Sequence, residues 1–194
     1  MAYLYDIFIS YPRVPGVSEW VKEHFKPILA ELLALEMPRE PAIFCDFEQD
    51  VGVKWPDNLR AALQTTRILL PIWTPPFFRS PWCQVEWRTM LAREELLGVG
   101  KGALPGLVYP VVYSDGVHFD QEARDTQSRI DLKDFTYPYA AFRGSEKFLA
   151  FHDRMKLIAA DLTARIEGVP AWQAEWPVAD LPAMKPLNIA LPRI

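Results

Sequence analysis

Tyr5-Asp-Ile-Phe-Ile-Ser10 sets the reading of everything that follows it. The run is short, rich in β-branched and aromatic residues, and closed by Tyr11 and Pro12, so it reads as a buried first strand leading into a loop. Ser18 then offers an N-cap. Behind it Val21, Phe25, Ile28, Leu29 and Leu32 recur at spacings of three and four, which predicts an amphipathic helix to about Glu36, ended by Pro38. Ala42-Ile-Phe-Cys-Asp-Phe47 has the character of a second strand.

The same alternation continues. After an acidic, glycine-containing loop from Glu48 to Trp55, Pro56 can open a helix through Leu59, Ala62 and Leu63, and Arg67-Ile-Leu-Leu-Pro-Ile-Trp73 is a third strand. Pro71 removes a ladder donor, so that strand is expected to be short or irregular there. Ser80-Pro81 supplies a cap and a first helical proline for a helix ending at Glu95 or Leu97, and Leu107-Val-Tyr-Pro-Val-Val-Tyr113 makes a fourth strand. From Ser114 to Gly144 the periodicity weakens, with one short strand expected around Ile130 to Phe135. Ser145 caps the best-patterned helix, carried by Phe148, Phe151, Met155, Ile158, Leu162 and Ile166 and stopped by Gly168 and Pro170.

Short apolar strands alternating with amphipathic helices require a parallel sheet covered on both faces. The expected fold class is α/β: a flavodoxin-like, three-layer arrangement of four to five central strands flanked by helices, with ligands at the carboxyl ends of the strands. Residues 1–168 form this domain. Residues 169–194 hold five prolines, two tryptophans and no glycine, a composition for an extended arm rather than a helix or a flexible linker. Trp172 and Trp176 are expected to pack back on the domain, the alternative being an approach to a further module.

Composition narrows the function. Half of the 194 residues are hydrophobic and 13% aromatic, enough for a sizeable core. A net charge of −4, with scattered Lys and Arg, leaves no footprint for direct nucleic-acid binding. The N-terminal stretch has neither a basic region nor a membrane-length apolar run, so a cytoplasmic protein without membrane attachment is expected. Cys45 and Cys83 cannot make a disulfide framework, and with His24, His118 and His152 in separate segments no metal-ligand spacing occurs. Each histidine reads as surface or packing.

The chemistry concentrates in Ser80-Pro-Trp-Cys-Gln-Val-Glu86-Trp87. With Ser80 as N-cap, Trp82 and Glu86 share one helix face, an aromatic plate one turn before a carboxylate. Such a pair suits a sugar nucleotide: the ring stacks, and the carboxylate binds ribose hydroxyls and stabilises positive charge at the anomeric carbon. Glu86 is expected on the helix surface, dispensable for the core.

Three boxes together resemble the Toll/interleukin-1 receptor (TIR) domains: Tyr5-Asp-Ile-Phe-Ile-Ser-Tyr11 their first signature box, Phe44-Cys-Asp-Phe47 with Gly52 and Trp55 their second strand and BB loop, and Ser80 to Trp87 the helix that holds the catalytic glutamate of NAD-cleaving members. The match is good from Tyr3 to about Gly116. It departs at Trp73-Thr-Pro-Pro-Phe-Phe78, where many TIR domains carry a serine-containing segment, which puts Trp73 in doubt as a pocket contact.

By this resemblance Glu86 is the catalytic carboxylate, with Trp82 and Cys83 beside it. Ser10, Tyr11 and Arg13 line the same pocket, and Asp46, Phe47, Asp50 and Trp55 stand opposite. The activity implied is that of a bacterial-type NAD+ glycohydrolase, releasing nicotinamide and leaving ADP-ribose or a cyclic ADP-ribose, with NAD+ as substrate and no further cofactor. Self-association through TIR–TIR contacts, a fused or separate sensor module and a role in anti-phage immunity belong to the same implication. Two other readings compete: a TIR module acting only in protein–protein signalling, which has no need of the Trp82 and Glu86 pair, and a nucleoside deoxyribosyltransferase-like enzyme, which also sets a glutamate against a ribosyl carbon.

Overall fold

The computed structural model describes residues 2–45, 55–100, 105–114, 119, 123 and 129–179, with Trp55 and Pro56 described in their backbone only. β1 (Tyr5–Ser10) is the central strand, buried from Asp6 onward. Because strand side chains alternate, Ile7 and Ile9 enter one hydrophobic cluster while Phe8 enters another. β2 (Ile43–Cys45) and β3 (Thr66–Trp73) pair with it in parallel on either side, and β4 (Val111–Val112) and β5 (Ile130–Asp131) extend the sheet beyond β3. The order β2-β1-β3-β4-β5 is that of the flavodoxin-like class expected from the sequence.

Two layers of helices cover the sheet. On one face lie α1 (Val17–Trp20), a π-helical turn (Val21–Phe25), α2 (Lys26–Glu36) and α6 (Glu146–Gly168); Trp20, Phe25, Leu29, Phe151 and Met155 fill the space beneath them. On the other lie α3 (Trp55–Thr65), α4 (Pro75–Arg79) and α5 (Pro81–Leu97), over Phe8, Leu63, Leu69, Trp73 and Trp87. Burying aromatic and aliphatic side chains on both faces is the main stabilising contribution.

Local differences from the periodicity have local causes. The first helix is capped by Gly16, not Ser18. Gly16 sits at φ 83°, a conformation that favours glycine, and donates its N–H to the Glu19 carboxylate at 2.5 Å. Further along, Pro27 has no N–H to give Glu23, and the helix widens into the π-helical turn just before it. The Glu23 carbonyl instead accepts from Arg143 at 2.5 Å, so a side chain from the far end of the domain satisfies it.

β3 is not interrupted at Pro71. That proline has the parity of Leu69, whose N–H bonds Leu107 on the β4 side, so its missing donor falls between the isolated bridge at Leu69 and the β4 ladder that starts at Ile72. β4 is shorter than expected, since Val108 makes only an isolated bridge and Pro110 separates it from the ladder at Val111.

His24 is buried at 1% exposure, edge-on to the Phe142 ring. Burial, helped by the nearby Arg143 guanidinium, lowers its pKa; the Pro138 and Tyr139 carbonyls and Glu23 oppose the shift. The unfolded chain therefore binds this proton more readily. The stabilisation is complete above the ordinary histidine value of 6.5 and is lost as pH falls through the folded-state value. Urea unfolding at pH 7.5 and 5.5 is expected to show a smaller loss of stability in His24→Leu than in the wild type; equal losses would remove His24 as the source.

Candidate active site

In a sheet of this order, the crevice between β1 and β3 opens at the carboxyl ends of the strands, where the connections run to opposite faces. Ser10 is the last residue of β1 and has the parity of Phe8, so its side chain faces the α3 and α5 layer. Pro81 at the first helical position and the Ser80 hydroxyl, which accepts from the Cys83 N–H at 3.4 Å, fix where α5 begins. Glu86 follows within the second turn. The two meet: the Ser10 hydroxyl donates to Glu86 Oε2, with Ser10 at 1% and Glu86 at 5% exposure.

This corrects the expectation of a surface carboxylate. α5 buries Cys83, Glu86, Trp87, Thr89, Met90 and Arg93, so much of its circumference is enclosed between the sheet and the segments around it. A carboxylate held there acts through a lower local dielectric than water, which strengthens its attraction for any positive charge formed beside it.

Other residues named from the sequence separate by position. Trp82 is half-buried against the α5-side cluster, and Cys83 lies within that cluster at 4% exposure. Tyr11, one residue past Ser10, has the opposite parity and packs in the cluster beneath α1, α2 and α6. Arg13 is exposed in the loop between β1 and α1. Asp46, Phe47 and Asp50 lie outside the described residues, as does the Trp55 side chain.

Trp73 is fully buried, at the end of β3 on the same face as Ser10. The unusual segment after it forms α4, capped by Thr74, whose hydroxyl accepts from the Phe77 N–H at 3.1 Å. Phe78 and Trp87 pack against the Trp73 ring with centroids at 5.6 and 5.8 Å. The Pro-Pro-Phe-Phe departure thus builds an aromatic wall beside α5. Two polar residues of α5, Thr89 and Arg93, are also fully buried. Reading the sequence did not single them out, although their spacing of three and seven from Glu86 places all three on one helix face.

Ser10→Ala removes a donor to Glu86 without changing the strand. With this donor gone from the buried carboxylate, the domain is expected to lose about 1–3 kcal/mol in urea unfolding with an unchanged circular-dichroism spectrum; wild-type stability would show that this bond does not support the fold.

Comparison with known proteins gives the family. The TIR domain family model matches residues 7–144, more than half of the chain. Among solved structures, the TIR domain of the Toll-related receptor TRR-2 from Hydra magnipapillata is similar, at 17% identity, 77% of this chain and 98% of that one covered, and a TM-score of 0.48. The TIR domains of the activated Roq1 resistosome, which directly recognizes the pathogen effector XopQ, align at 18% identity over 84% of this chain and 96% of that one, with a TM-score of 0.39. No curated protein matches. The parallel five-stranded sheet, the box around β1 and the family match together make this chain a member of the TIR domain family.

Proposed function

We propose that this TIR domain hydrolyses NAD+ at its nicotinamide–ribose bond, with Glu86 as the catalytic carboxylate. The observation that carries the reading is the buried hydrogen bond from Ser10 to Glu86 at the switch point between β1 and β3. An interaction module gains little from burying a carboxylate at the position where such sheets bind ligands.

NAD+ already carries its leaving group as a cation. When the C1′–N bond breaks, its electron pair returns to the pyridine nitrogen, nicotinamide leaves neutral, and positive charge moves to C1′ and the ring oxygen. Glu86 stabilises that charge. No second carboxyl group is needed to protonate the leaving group, unlike in ordinary glycosidases. Water then adds to C1′ and gives up its proton, producing ADP-ribose; attack by an adenine nitrogen produces a cyclic ADP-ribose instead. Ser10 holds one carboxylate oxygen, Trp82 offers a ring for stacking, and the aromatic wall of Trp73, Phe78 and Trp87 keeps α5 in place. In a cell this activity would serve bacterial anti-phage defence, switched on by self-assembly.

The test is product analysis by liquid chromatography after incubation with NAD+, across a protein dilution series read beside light scattering. Nicotinamide release that rises per molecule with assembly supports the reading in full. Unchanged NAD+ at every concentration overturns it in favour of a signalling module, and base exchange on deoxynucleosides without NAD+ loss would identify a deoxyribosyltransferase.

A further inference from the structure

Residues 169–179, which follow α6, stay against the domain. They turn back along the amino-terminal end of the sheet: the Tyr3 hydroxyl donates to the Pro170 carbonyl at 2.8 Å, the Trp172 indole N–H donates to the Gln64 carbonyl at 3.1 Å, and Gln64 returns a bond to the Ala174 carbonyl at 3.1 Å. Trp176 is then buried at 3% exposure.

What Trp176 covers is a cation. Arg93 is fully buried, and its guanidinium donates to the Leu63 and Thr66 carbonyls, both at 2.9 Å, at the carboxyl end of α3. That end carries the negative pole of the helix, which suits a guanidinium. The indole of Trp176 lies over the guanidinium carbon at 4.3 Å. Burial brings the Arg93 pKa down to about 10, and the nearby Tyr3 opposes the shift. Three residues on, the Ala179 N–H donates to the Thr89 hydroxyl at 3.0 Å. The arm therefore runs along α5 from Arg93 to Thr89, toward the turn that bears Glu86.

We infer that Trp176 and Arg93 are positioning residues for Glu86, the arm acting as a strap that sets the register of α5 against α3 and β3. The buried polar face of this helix is fastened at three points: Glu86 to the end of β1, Thr89 to the arm backbone, and Arg93 to α3, β3 and the Trp176 ring. A helix is stiff along its axis, so releasing the lower two points lets the third move, and a small displacement of a catalytic group is costly in rate. The strap links the carboxyl-terminal arm to the helix that bears the carboxylate. The catalytic part of this inference rests on the NAD+ reading; the mechanical part does not.

The test uses the full chain and two readouts. In Trp176→Ala, amide hydrogen exchange across α5, including the turn at Glu86, is expected to accelerate at least tenfold, and kcat for NAD+ to fall about tenfold with KM unchanged. Trp176→Phe, which keeps an aromatic face over Arg93, should restore most of both, whereas Trp176→Leu should not. Faster exchange confined to residues 169–179, or equal recovery by leucine and phenylalanine, would overturn the strap. Should the alanine variant fail to fold, the phenylalanine and leucine pair decides alone. If the wild type leaves NAD+ intact, the exchange data still decide whether the arm holds α5, so the two ideas fail separately.

Discussion

Glu86→Gln is expected to keep the fold and lose NAD+ cleavage by about a thousandfold, the size of effect seen when a single preorganised electrostatic contact is removed. Glutamine preserves the volume of the buried side chain and still offers Ser10 an oxygen to donate to, so the geometry of the Ser10 contact is retained. The negative charge is gone. In a site at 5% exposure that charge is poorly screened by solvent, and its loss falls on the transition state, where C1′ becomes positive, more than on bound NAD+. The variant should therefore lose kcat with little change in KM. Glu86→Ala is a less clean probe, because it leaves a cavity beside α5 and costs stability as well. Turnover within tenfold of the wild type in a Glu86→Gln protein with an unchanged circular-dichroism spectrum would remove Glu86 from the mechanism.

The largest effect on stability should come from Trp73→Ala, at about 4 kcal/mol, the range for removing a buried tryptophan. Trp73 is fully buried and meets the rings of Trp87, Phe78 and Phe119 at centroid distances of 5.8, 5.6 and 5.7 Å. Alanine removes the centre of that cluster, and three large rings anchored on separate segments cannot all close on the gap. Trp73→Phe should cost about 1–2 kcal/mol, since it keeps an aromatic ring. Its indole nitrogen has no hydrogen-bond partner among the described residues, so no polar contact is lost. Urea unfolding at pH 7.5 gives both values; a loss below about 1 kcal/mol for alanine would mean that the wall does not support the domain.

Why some of this was legible and some not follows from the range of each signal. Period-two and period-3.6 patterns are local, so β1, α5, α6 and the alternation of strands and helices could be read directly. Glu86 and Ser10 were nameable through the family boxes, but their contact spans 76 positions, and what buries Glu86 lies far away in sequence. The alternation along β1 already sends Tyr11 away from the face that Ser10 joins. Ser18 was a reasonable cap by residue type, and Gly16 displaced it because the backbone there turns through positive φ with Glu19 in reach. Pro71 was judged by the general rule for prolines in strands, whereas its consequence depended on where the neighbouring strands stop. Arg93 reads as an ordinary helix charge until the carbonyls of α3 and the Trp176 ring are seen around it.

One margin of the sheet is narrow: β5 spans only Ile130–Asp131, with Arg129 and Leu132 outside the strand. A strand added there from another molecule would find few unpaired backbone groups to bond, and a stubby edge of this kind is a common defence against uncontrolled cross-β growth. Copies of this domain that gather at high concentration should therefore find no strand-pairing partner along β5. Under the NAD+ reading this matters, since an assembly nucleated on that edge would be hard to dissolve once the stimulus had passed.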